Sequence, residues 1–249
     1  MGIKIRMNPK YGKLRDFIGQ LPDRFDREGR IIHDGRNKLK VFDVDGLEIN
    51  VKRYRIPIFI NRLIYTFIRK PKGVRAFEYP ARLEKAGIET PEPIAYIQEN
   101  RSGLIRYSYF VSVQSPYPND MYHFGEEDAD SCRDFIEAFA REMARCHEAG
   151  ILHRDLSPGN ILYDKIDGEY KFTVVDINRM GFGKVDVRTG CLNFARLWGQ
   201  PRFFRILAEE YAKARHADAD QCVQWIKEGR MKYMSKFDKP SDIGYDAKI

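Results

Sequence analysis

The spacing of apolar and polar residues changes along the chain, and each change predicts a different kind of element. Over residues 31–54 the period is close to two, which is typical of strands, and Asp45-Gly46 between two such runs indicates a hairpin turn. Residues 94–97 and 104–113 are predicted to be two further strands. The first half of the chain therefore favours a small antiparallel sheet.

The second half has helical spacing. From about residue 128 to residue 149 the period is 3.6, and Gly150 follows as a stop signal. The apolar stripe of this helix consists of Cys132, Phe135, Ile136, Phe139, Met143 and Cys146. Shorter helices are predicted at 75–86, where Pro80 either begins or kinks the helix, and at 192–197, 202–213 and 218–227. The sequence thus predicts an α+β protein with a β-rich N-terminal part and a mainly helical C-terminal part.

Composition restricts the class of protein and of partner. The chain has 249 residues and a net charge of +7, which favours anionic partners such as nucleotides, phosphorylated sugars, acidic lipids or nucleic acid. Its four cysteines lack metal-ligand spacing and are expected to be reduced thiols. With no long apolar run and no secretory signal at the start, a cytoplasmic location is expected.

Residues 53–72 combine basic, aromatic and aliphatic side chains and contain no acidic residue. Two interpretations are equally supported: an element that lies on anionic lipid, or a helix that packs on the N-terminal lobe. Residues 1–28 are interpreted as an N-terminal extension in which Phe17, Ile18, Leu21 and Phe25 suit a short helix. A polar tail is expected from about residue 235.

The strongest chemical signal is the stretch from His153 to Asn160, followed by Asp176 after a β-branched run. In phosphoryl transfer one Asp accepts the proton of the attacking hydroxyl, while an Asn and a second Asp hold Mg²⁺. Taken singly, Asp155 suits a turn cap, Asn160 a loop amide and Asp176 a strand-end turn. The joined H-R-D-x-x-x-x-N pattern is specific and favours a kinase, with His153 in a structural role.

Upstream of this motif, period two places Lys52 on the strand face opposite the apolar residues. An isolated Lys there would be a solvated surface residue, but ahead of the acidic motifs it suits phosphate binding, with Glu78 as its partner. No G-x-G-x-x-G is present, and the turn formed by Gly35, Arg36 and Asn37 is the candidate for covering the nucleotide.

Within the protein-kinase-like superfamily, residues 155–162 and 175–179 resemble the lipopolysaccharide kinases of the Kdo/WaaP family. Residues 87–93 and 193–197 are also similar to that family, and the resemblance covers roughly residues 30–200. It implies a protein-kinase-like two-lobe fold, with an extension at 1–28, an N-lobe at 29–113 and a C-lobe at 114–249.

The resemblance also implies ATP with Mg²⁺, and transfer of the γ-phosphate to a sugar hydroxyl of the lipopolysaccharide inner core, Kdo or heptose. Asp155 would be the base, Asn160 and Asp176 the metal ligands, and Lys52 the phosphate-binding residue with Glu78 as its partner. The lipopolysaccharide core would be the acceptor. Separately, the basic and apolar composition of residues 53–72 favours a peripheral position on the inner face of the cytoplasmic membrane.

Some features leave alternatives open. Asp176 is followed by Ile177-Asn178 instead of Phe-Gly, and no Ala-Pro-Glu follows, which argues against a protein substrate. A kinase of another small molecule or of a protein remains possible, as does a pseudokinase that acts as an envelope-associated binding module. No nucleic-acid partner is expected, because the basic residues cluster with aliphatic side chains and not with exposed stacking aromatics.

Overall fold

The computed structural model describes residues 2–67 and 70–236, except for the side chains of residues 61, 66 and 67. The chain divides into two compact units: an N-terminal unit (1–84 and 90–116) and a C-terminal unit (85–89 and 117–249). The fold is mixed α+β, with the antiparallel sheet in the first unit and most of the helix in the second.

The N-terminal unit is built on a six-stranded antiparallel sheet with the order β1-β5-β6-β4-β3-β2. Its strands are β1 (Gly2–Met7), β2 (Arg30–Asp34), β3 (Lys38–Val44), β4 (Leu47–Tyr54), β5 (Pro93–Arg101) and β6 (Leu104–Val113). The hairpin predicted at Asp45-Gly46 is confirmed: both residues have positive φ, and Val44 pairs with Leu47.

Residues 1–28 contribute two elements to this unit. Strand β1 pairs with β5 from Gly2↔Asn100 to Met7↔Ala95. Helix α1 (Arg15–Arg24) packs on one face of the sheet and buries Phe17, Ile18 and Leu21 against β-strand side chains. The buried Lys40 Nζ donates to the carbonyls of Phe25 and Glu28 just after the helix, at 2.6 and 2.7 Å. The helix end thereby gains hydrogen-bond partners that the helix itself cannot supply.

The opposite sheet face carries α2 (Phe59–Phe67) and α3 (Lys72–Glu78), which is followed by α4 (Pro80–Lys85). Gly73 lets α3 lie close to the sheet, because a Cβ at this position would meet the Tyr96 ring at 2.7 Å. The helix predicted at 75–86 is two helices: α3 ends before Tyr79, and Pro80 begins α4.

The C-terminal unit is organised around α5 (Arg133–Glu148), which contacts β8 (Ile151–His153) and β10 (Glu169–Val174). Its remaining elements, in chain order, are β7 (Asn119–Asp120), β9 (Ile161–Ile166), β11 (Met180–Phe182), α6 (Val187–Asn193), α7 (Pro201–Ala214) and α8 (Ala219–Met234). Most of the predicted apolar stripe of α5 is buried, and Gly150 follows the helix with φ +72°. The predicted helix start at 128 is wrong by five residues, because Asp128 accepts hydrogen bonds from Ser131 in a preceding turn.

Two of the shorter predicted helices also differ from the structure. The segment predicted at 192–197 is the end of α6 followed by a 3-10 turn at Phe194–Arg196, and α8 extends to Met234, beyond the predicted 227. Of the polar tail expected from residue 235, residues 237–249 lie outside the described part, as do residues 68–69 of the basic segment. Among the helices of residues 2–67 and 70–236, none has the length and apolarity needed to cross a membrane.

Candidate active site

The predicted catalytic loop lies between two short strands of the C-terminal unit. It leaves β8 at His153 and enters β9 through a 3-10 turn at Pro158–Asn160. Strand β8 pairs with β11, so that His153 faces Met180 across the ladder. Because β11 begins directly after a 3-10 turn at Ile177–Arg179, this pairing brings the residues around Asp176 next to the loop.

Hydrogen bonds join the three predicted site residues of this unit. Asn160 Nδ2 donates to the backbone oxygen of Asp155 at 2.7 Å. The N–H of Val175, next to Asp176, donates to the backbone oxygen of Asn160 at 3.0 Å. Asp176 itself has φ +53°, a left-handed conformation that Asp tolerates better than most residues. The sequence-predicted Asp155, Asn160 and Asp176 therefore belong to one hydrogen-bonded loop pair.

His153 holds the two loops together and does not act as an exposed base. Its ring lies in hydrogen-bond reach of the Val175 oxygen through Nε2, at 2.9 Å, and of the Asp155 N–H through Nδ1, at 3.2 Å. Nδ1 must therefore accept and Nε2 must donate, which is a neutral tautomer. Burial lowers the pKa of His153 below its ordinary value, in agreement with that assignment. The predicted structural role of His153 is confirmed.

Two arginines that the sequence analysis did not single out contact the carboxylate of Asp155. Arg196 Nη1 donates to Oδ1 in a close ion pair, and Arg179 Nη1 donates to Oδ2 at 3.2 Å. The side chain of Asp155 is 15% exposed, against 45% for Arg179 and 36% for Arg196. Both arginines lie in segments that resemble the family: Arg179 ends the motif at 175–179, and Arg196 lies in the segment 193–197. The resemblance therefore included both positions but assigned no role to either residue.

A second chain of hydrogen bonds, made by side chains of three helices, supports the catalytic loop. Asn193 Nδ2 donates to the backbone oxygen of His153 at 3.0 Å, and Asn193 Oδ1 lies 3.3 Å from His147 Nε2. His147 Nδ1 lies 2.8 Å from the Tyr211 hydroxyl, which accepts from Arg215. Burial lowers the pKa of His147 to about 4. Helices α5, α6 and α7 thus fix the loop through one polar chain.

The donor set around Asp176 suits a hard divalent cation. Carboxylate and amide oxygens are the ligands that Mg²⁺ prefers, and it is commonly held by one or two carboxylates together with phosphate oxygens and waters. Asn178 donates through Nδ2 to Asp176 Oδ1, and its own Oδ1 is buried without a hydrogen-bond partner in the described structure. Among the described residues, no cluster of three His, Cys, Asp or Glu side chains forms an all-protein cage. The residues present fit an Mg²⁺ that also requires nucleotide oxygens.

Lys52 and Glu78, the other two predicted charged residues, lie in the N-terminal unit. Lys52 is on the sheet face opposite the buried Val51, as predicted, and its Nζ lies 5.7 Å from the centre of the Tyr54 ring. Glu78 ends α3, where its two carboxylate oxygens accept from Arg6 at 2.9 Å and from Lys70 at 2.7 Å. These two contacts are alternatives to the predicted pairing of Glu78 with Lys52.

Residues 35–37 form the turn between β2 and β3, where the Gly35 N–H donates to the Asn37 oxygen at 3.3 Å. Asn37 Oδ1 also accepts from the backbone N–H of Arg55 at 3.3 Å. The turn borders a cavity of about 340 Å³ whose basic lining residues are Arg36, Arg55 and Lys72, with no acidic residue in the lining. The segment predicted to cover the nucleotide is therefore a turn, and it lies beside a cavity with a basic lining.

Aromatic side chains flank the catalytic loop. Tyr122 packs on Gly159, where a Cβ would lie 2.8 Å from its ring, and its ring meets that of Trp198 edge-on at 5.1 Å. Tyr122 is 46% exposed. Neither residue was singled out from the sequence.

Comparisons with known proteins show what the chain is similar to. The chain is 25% identical over 150 residues to the 3-deoxy-D-manno-octulosonic acid kinase of Vibrio parahaemolyticus serotype O3:K6, which is 58% of this chain and 61% of that protein. The chain therefore spans less than two-thirds of that relative's length. The structure described as WaaP in complex with acyl carrier protein superposes with a TM-score of 0.60 at 17% identity, covering 93% of this chain and 99% of that one, and shows a shared kinase-like fold.

The family model for lipopolysaccharide kinases matches residues 28–199, which include β2–β6, α5 and both loops that carry Asp155 and Asp176. The match covers more than half of the chain, and it includes Asp155, Asn160, Asp176, Arg179 and Arg196. The chain therefore belongs to the lipopolysaccharide kinase (Kdo/WaaP) family.

Proposed function

We propose that this protein is an ATP- and Mg²⁺-dependent kinase that transfers the γ-phosphate to a sugar hydroxyl of the lipopolysaccharide inner core, either Kdo or heptose. The observation that carries the proposal is the hydrogen-bonded loop pair of Asp155, Asn160 and Asp176 in a chain of this family. A carboxylate base beside two oxygen donors for a cation is the arrangement that phosphoryl transfer requires.

In this proposal Asp155 orients the acceptor hydroxyl and accepts its proton through one carboxylate oxygen. Asn160 donates its amide to the Asp155 backbone, which leaves its Oδ1 available as a metal ligand beside the Asp176 carboxylate. Mg²⁺ bound there would neutralise charge on the phosphates. The buried, neutral His153 keeps both loops in place without competing for the proton.

The residues of the N-terminal unit are assigned to the nucleotide. Lys52 would neutralise the α- and β-phosphates, and the backbone amides of Gly35, Arg36 and Asn37 would cover them. Glu78 would hold Lys52 only after exchanging its contact with Arg6 or Lys70, both of which are exposed ion pairs and therefore weak.

We also propose that the protein works on the inner face of the cytoplasmic membrane, where a glycolipid acceptor is available. In support, Ile58, Phe59 and Ile60 at the start of α2 are 70%, 63% and 65% exposed. Ile58 also lines the cavity that Arg36, Arg55 and Lys72 border. An exposed apolar side of a helix beside basic residues is typical of contact with anionic lipid, and the opposite side of α2 packs on the sheet.

The catalytic assignment is tested with purified protein, labelled ATP and inner-core lipopolysaccharide as acceptor. Asp155→Ala should lower phosphate transfer by about 10² to 10⁴, the usual contribution of a general base, and should leave nucleotide binding intact. Asp176→Ala should also remove the Mg²⁺-dependent part of nucleotide binding. The matched control is Glu169→Ala, which removes a carboxylate that is 74% exposed in the same unit. Transfer by Asp155→Ala at the wild-type rate would show that another group is the base.

A pseudokinase is the second candidate. It is favoured by the two guanidinium groups on the Asp155 carboxylate and by the absence of a G-x-G-x-x-G motif in the sequence. A thermal shift assay with ATP, with and without Mg²⁺, separates the two candidates. A kinase should be stabilised by ATP in a Mg²⁺-dependent way, whereas a binding module that has lost nucleotide chemistry should give the same melting temperature in all samples.

A further inference from the structure

The carboxylate of Asp155 has a cation on each oxygen. Arg196 occupies Oδ1 and Arg179 occupies Oδ2. A general base must place one oxygen within hydrogen-bond reach of the hydroxyl that it deprotonates. Each arginine occupies an acceptor position on one of these oxygens, and the departure of one arginine would open that position to the hydroxyl.

The two arginines are held to different degrees. Arg196 makes the closer ion pair, its Cζ lies 5.6 Å from the centre of the Tyr233 ring, and its Nε is buried. Arg179 makes the longer contact, at 3.2 Å, and is the more exposed of the two at 45%. Arg179 is thus the partner that can move, whereas Arg196 is fixed by its surroundings.

An anion brought by the acceptor is the natural replacement partner. A guanidinium is always charged and binds a carboxylate or a phosphate through its planar fork, so it leaves one anion readily when a second one comes within reach. A neutral acceptor, or water, offers no such group. Exposed ion pairs of the Arg179 kind are weak enough to be exchanged in this way.

We propose that Arg179 is an acceptor-sensing gate on the base. In the free enzyme it covers Oδ2 of Asp155; when the acceptor binds, Arg179 pairs with a carboxylate or phosphate of that acceptor and uncovers Oδ2. The hydroxyl then gives its proton to Oδ2 while its oxygen bonds to the γ-phosphorus, the bond from that phosphorus to the bridging oxygen breaks, and its electron pair goes to ADP. This role rests on the proposed kinase function. As a gate, Arg179 would select acidic acceptors and suppress the reaction of ATP with water.

The gate is tested by measuring ATP hydrolysis without acceptor, and phosphate transfer to two probes: a Kdo glycoside and the same glycoside with its carboxylate reduced to an alcohol. Wild-type protein should hydrolyse ATP slowly and should prefer the acidic probe. Arg179→Gln should raise acceptor-independent hydrolysis about fivefold, the factor that an exposed ion pair of this kind allows, and should lose most of the preference between the probes. Arg179→Lys should fall between the two, because it retains the charge without the fork.

The matched control is Arg188→Gln, which removes an exposed arginine that pairs with Glu228 at 2.8 Å in the same unit. Its hydrolysis rate and probe preference should equal those of the wild type, and thermal melts should show that every variant is folded. Unchanged hydrolysis and unchanged preference in folded Arg179→Gln would overturn the gate. Wild-type protein that hydrolyses ATP but phosphorylates no core sugar would instead overturn the proposed acceptor, and the hydrolysis rate of Arg179→Gln would still decide the gate.

Discussion

At the scale of single residues, His147 links the stability of the fold to the catalytic loop. It lies between Tyr211 and Asn193, and Asn193 donates to the backbone of His153. Its pKa falls from 6.5 to about 4, chiefly because burial disfavours the charged ring; the hydrogen bond with Asn193 opposes this fall and the charge of Arg215 adds to it. The loop is therefore supported by a histidine that must stay neutral.

The sign of the resulting pH dependence follows from linkage. Because the folded pKa lies below the unfolded value, the contribution of His147 to stability is complete above pH 6.5 and is lost as the pH falls towards 4. Between pH 7 and pH 5 we expect this residue to cost about 2 kcal/mol of the free energy of unfolding. Denaturant titrations of the wild type and of His147→Gln measure this contribution. The difference in free energy of unfolding between the two proteins should be smaller at pH 5 than at pH 7 by that amount, and it should stay constant from pH 7 to 8.5. A gap that is the same at pH 5 and pH 7 would contradict the assignment.

The sequence identified the residues whose role depends on local motif and missed those whose role depends on the fold. Asp155, Asn160 and Asp176 stand in a fixed order that phosphoryl transfer explains. Arg179 and Arg196 reach Asp155 from 24 and 41 residues away, through strand pairing and a 3-10 turn that no local pattern encodes. Contacts of this kind become visible only when the chain is folded.

At the scale of elements, α1 and β1 carry part of the N-terminal core. Leu21 is fully buried at 0% exposure, among strand residues and Phe25. Leu21→Ala should therefore lower the free energy of unfolding by about 3 kcal/mol, through lost burial and the cavity left behind. Ile31→Ala is the control, since Ile31 is 51% exposed, and it should change stability little. Equal denaturation midpoints for the two variants would show that α1 is only loosely attached.

Helix α2 carries the membrane prediction. Phe59 and Ile60 are exposed, and burying such side chains in a lipid surface stabilises binding by roughly 1.5–3 kcal/mol each when burial is complete. Phe59→Ser/Ile60→Ser should reduce co-sedimentation with phosphatidylglycerol vesicles at least about tenfold. Ile31→Ser/Ile32→Ser removes two apolar side chains that are 51% and 41% exposed on β2 and should sediment like wild type. Equal sedimentation of both variants would remove α2 from the membrane contact.

The periodicity of the sequence predicted which helices and strands exist better than it predicted their first and last residues. The stripe of α5 and the hairpin at Asp45-Gly46 follow from strong local patterns. Residues 1–28 gave a weak signal because β1 mixes lysine and arginine with isoleucine, so its place in the sheet depends on pairing with β5. The sequence predicted that Pro80 would either begin a helix or kink one. In the structure Pro80 begins α4, and the preceding helix α3 packs on Tyr96 through Gly73.

At the scale of the whole molecule, the α+β class and the family were readable from the sequence because elements and motifs occur in a characteristic order. The acceptor could not be read from the sequence, because substrate specificity depends on side chains that come from separate elements. The exposed Tyr122 and the guanidinium of Arg179 come from different parts of the chain, and both flank the catalytic loop.

That combination predicts a change in the lipopolysaccharide of cells that carry the gene. Replacing the protein by Asp155→Ala should remove one phosphate group from an inner-core sugar, because the variant lacks the proposed base. Mass spectrometry of purified core oligosaccharide, with fragmentation to locate the lost phosphate, measures the change. Glu169→Ala is again the control and should give the wild-type mass. If the Asp155→Ala core retained every phosphate, the acceptor would lie outside the lipopolysaccharide core, and the aromatic and basic residues around the loop would have to recognise another anionic hydroxyl compound.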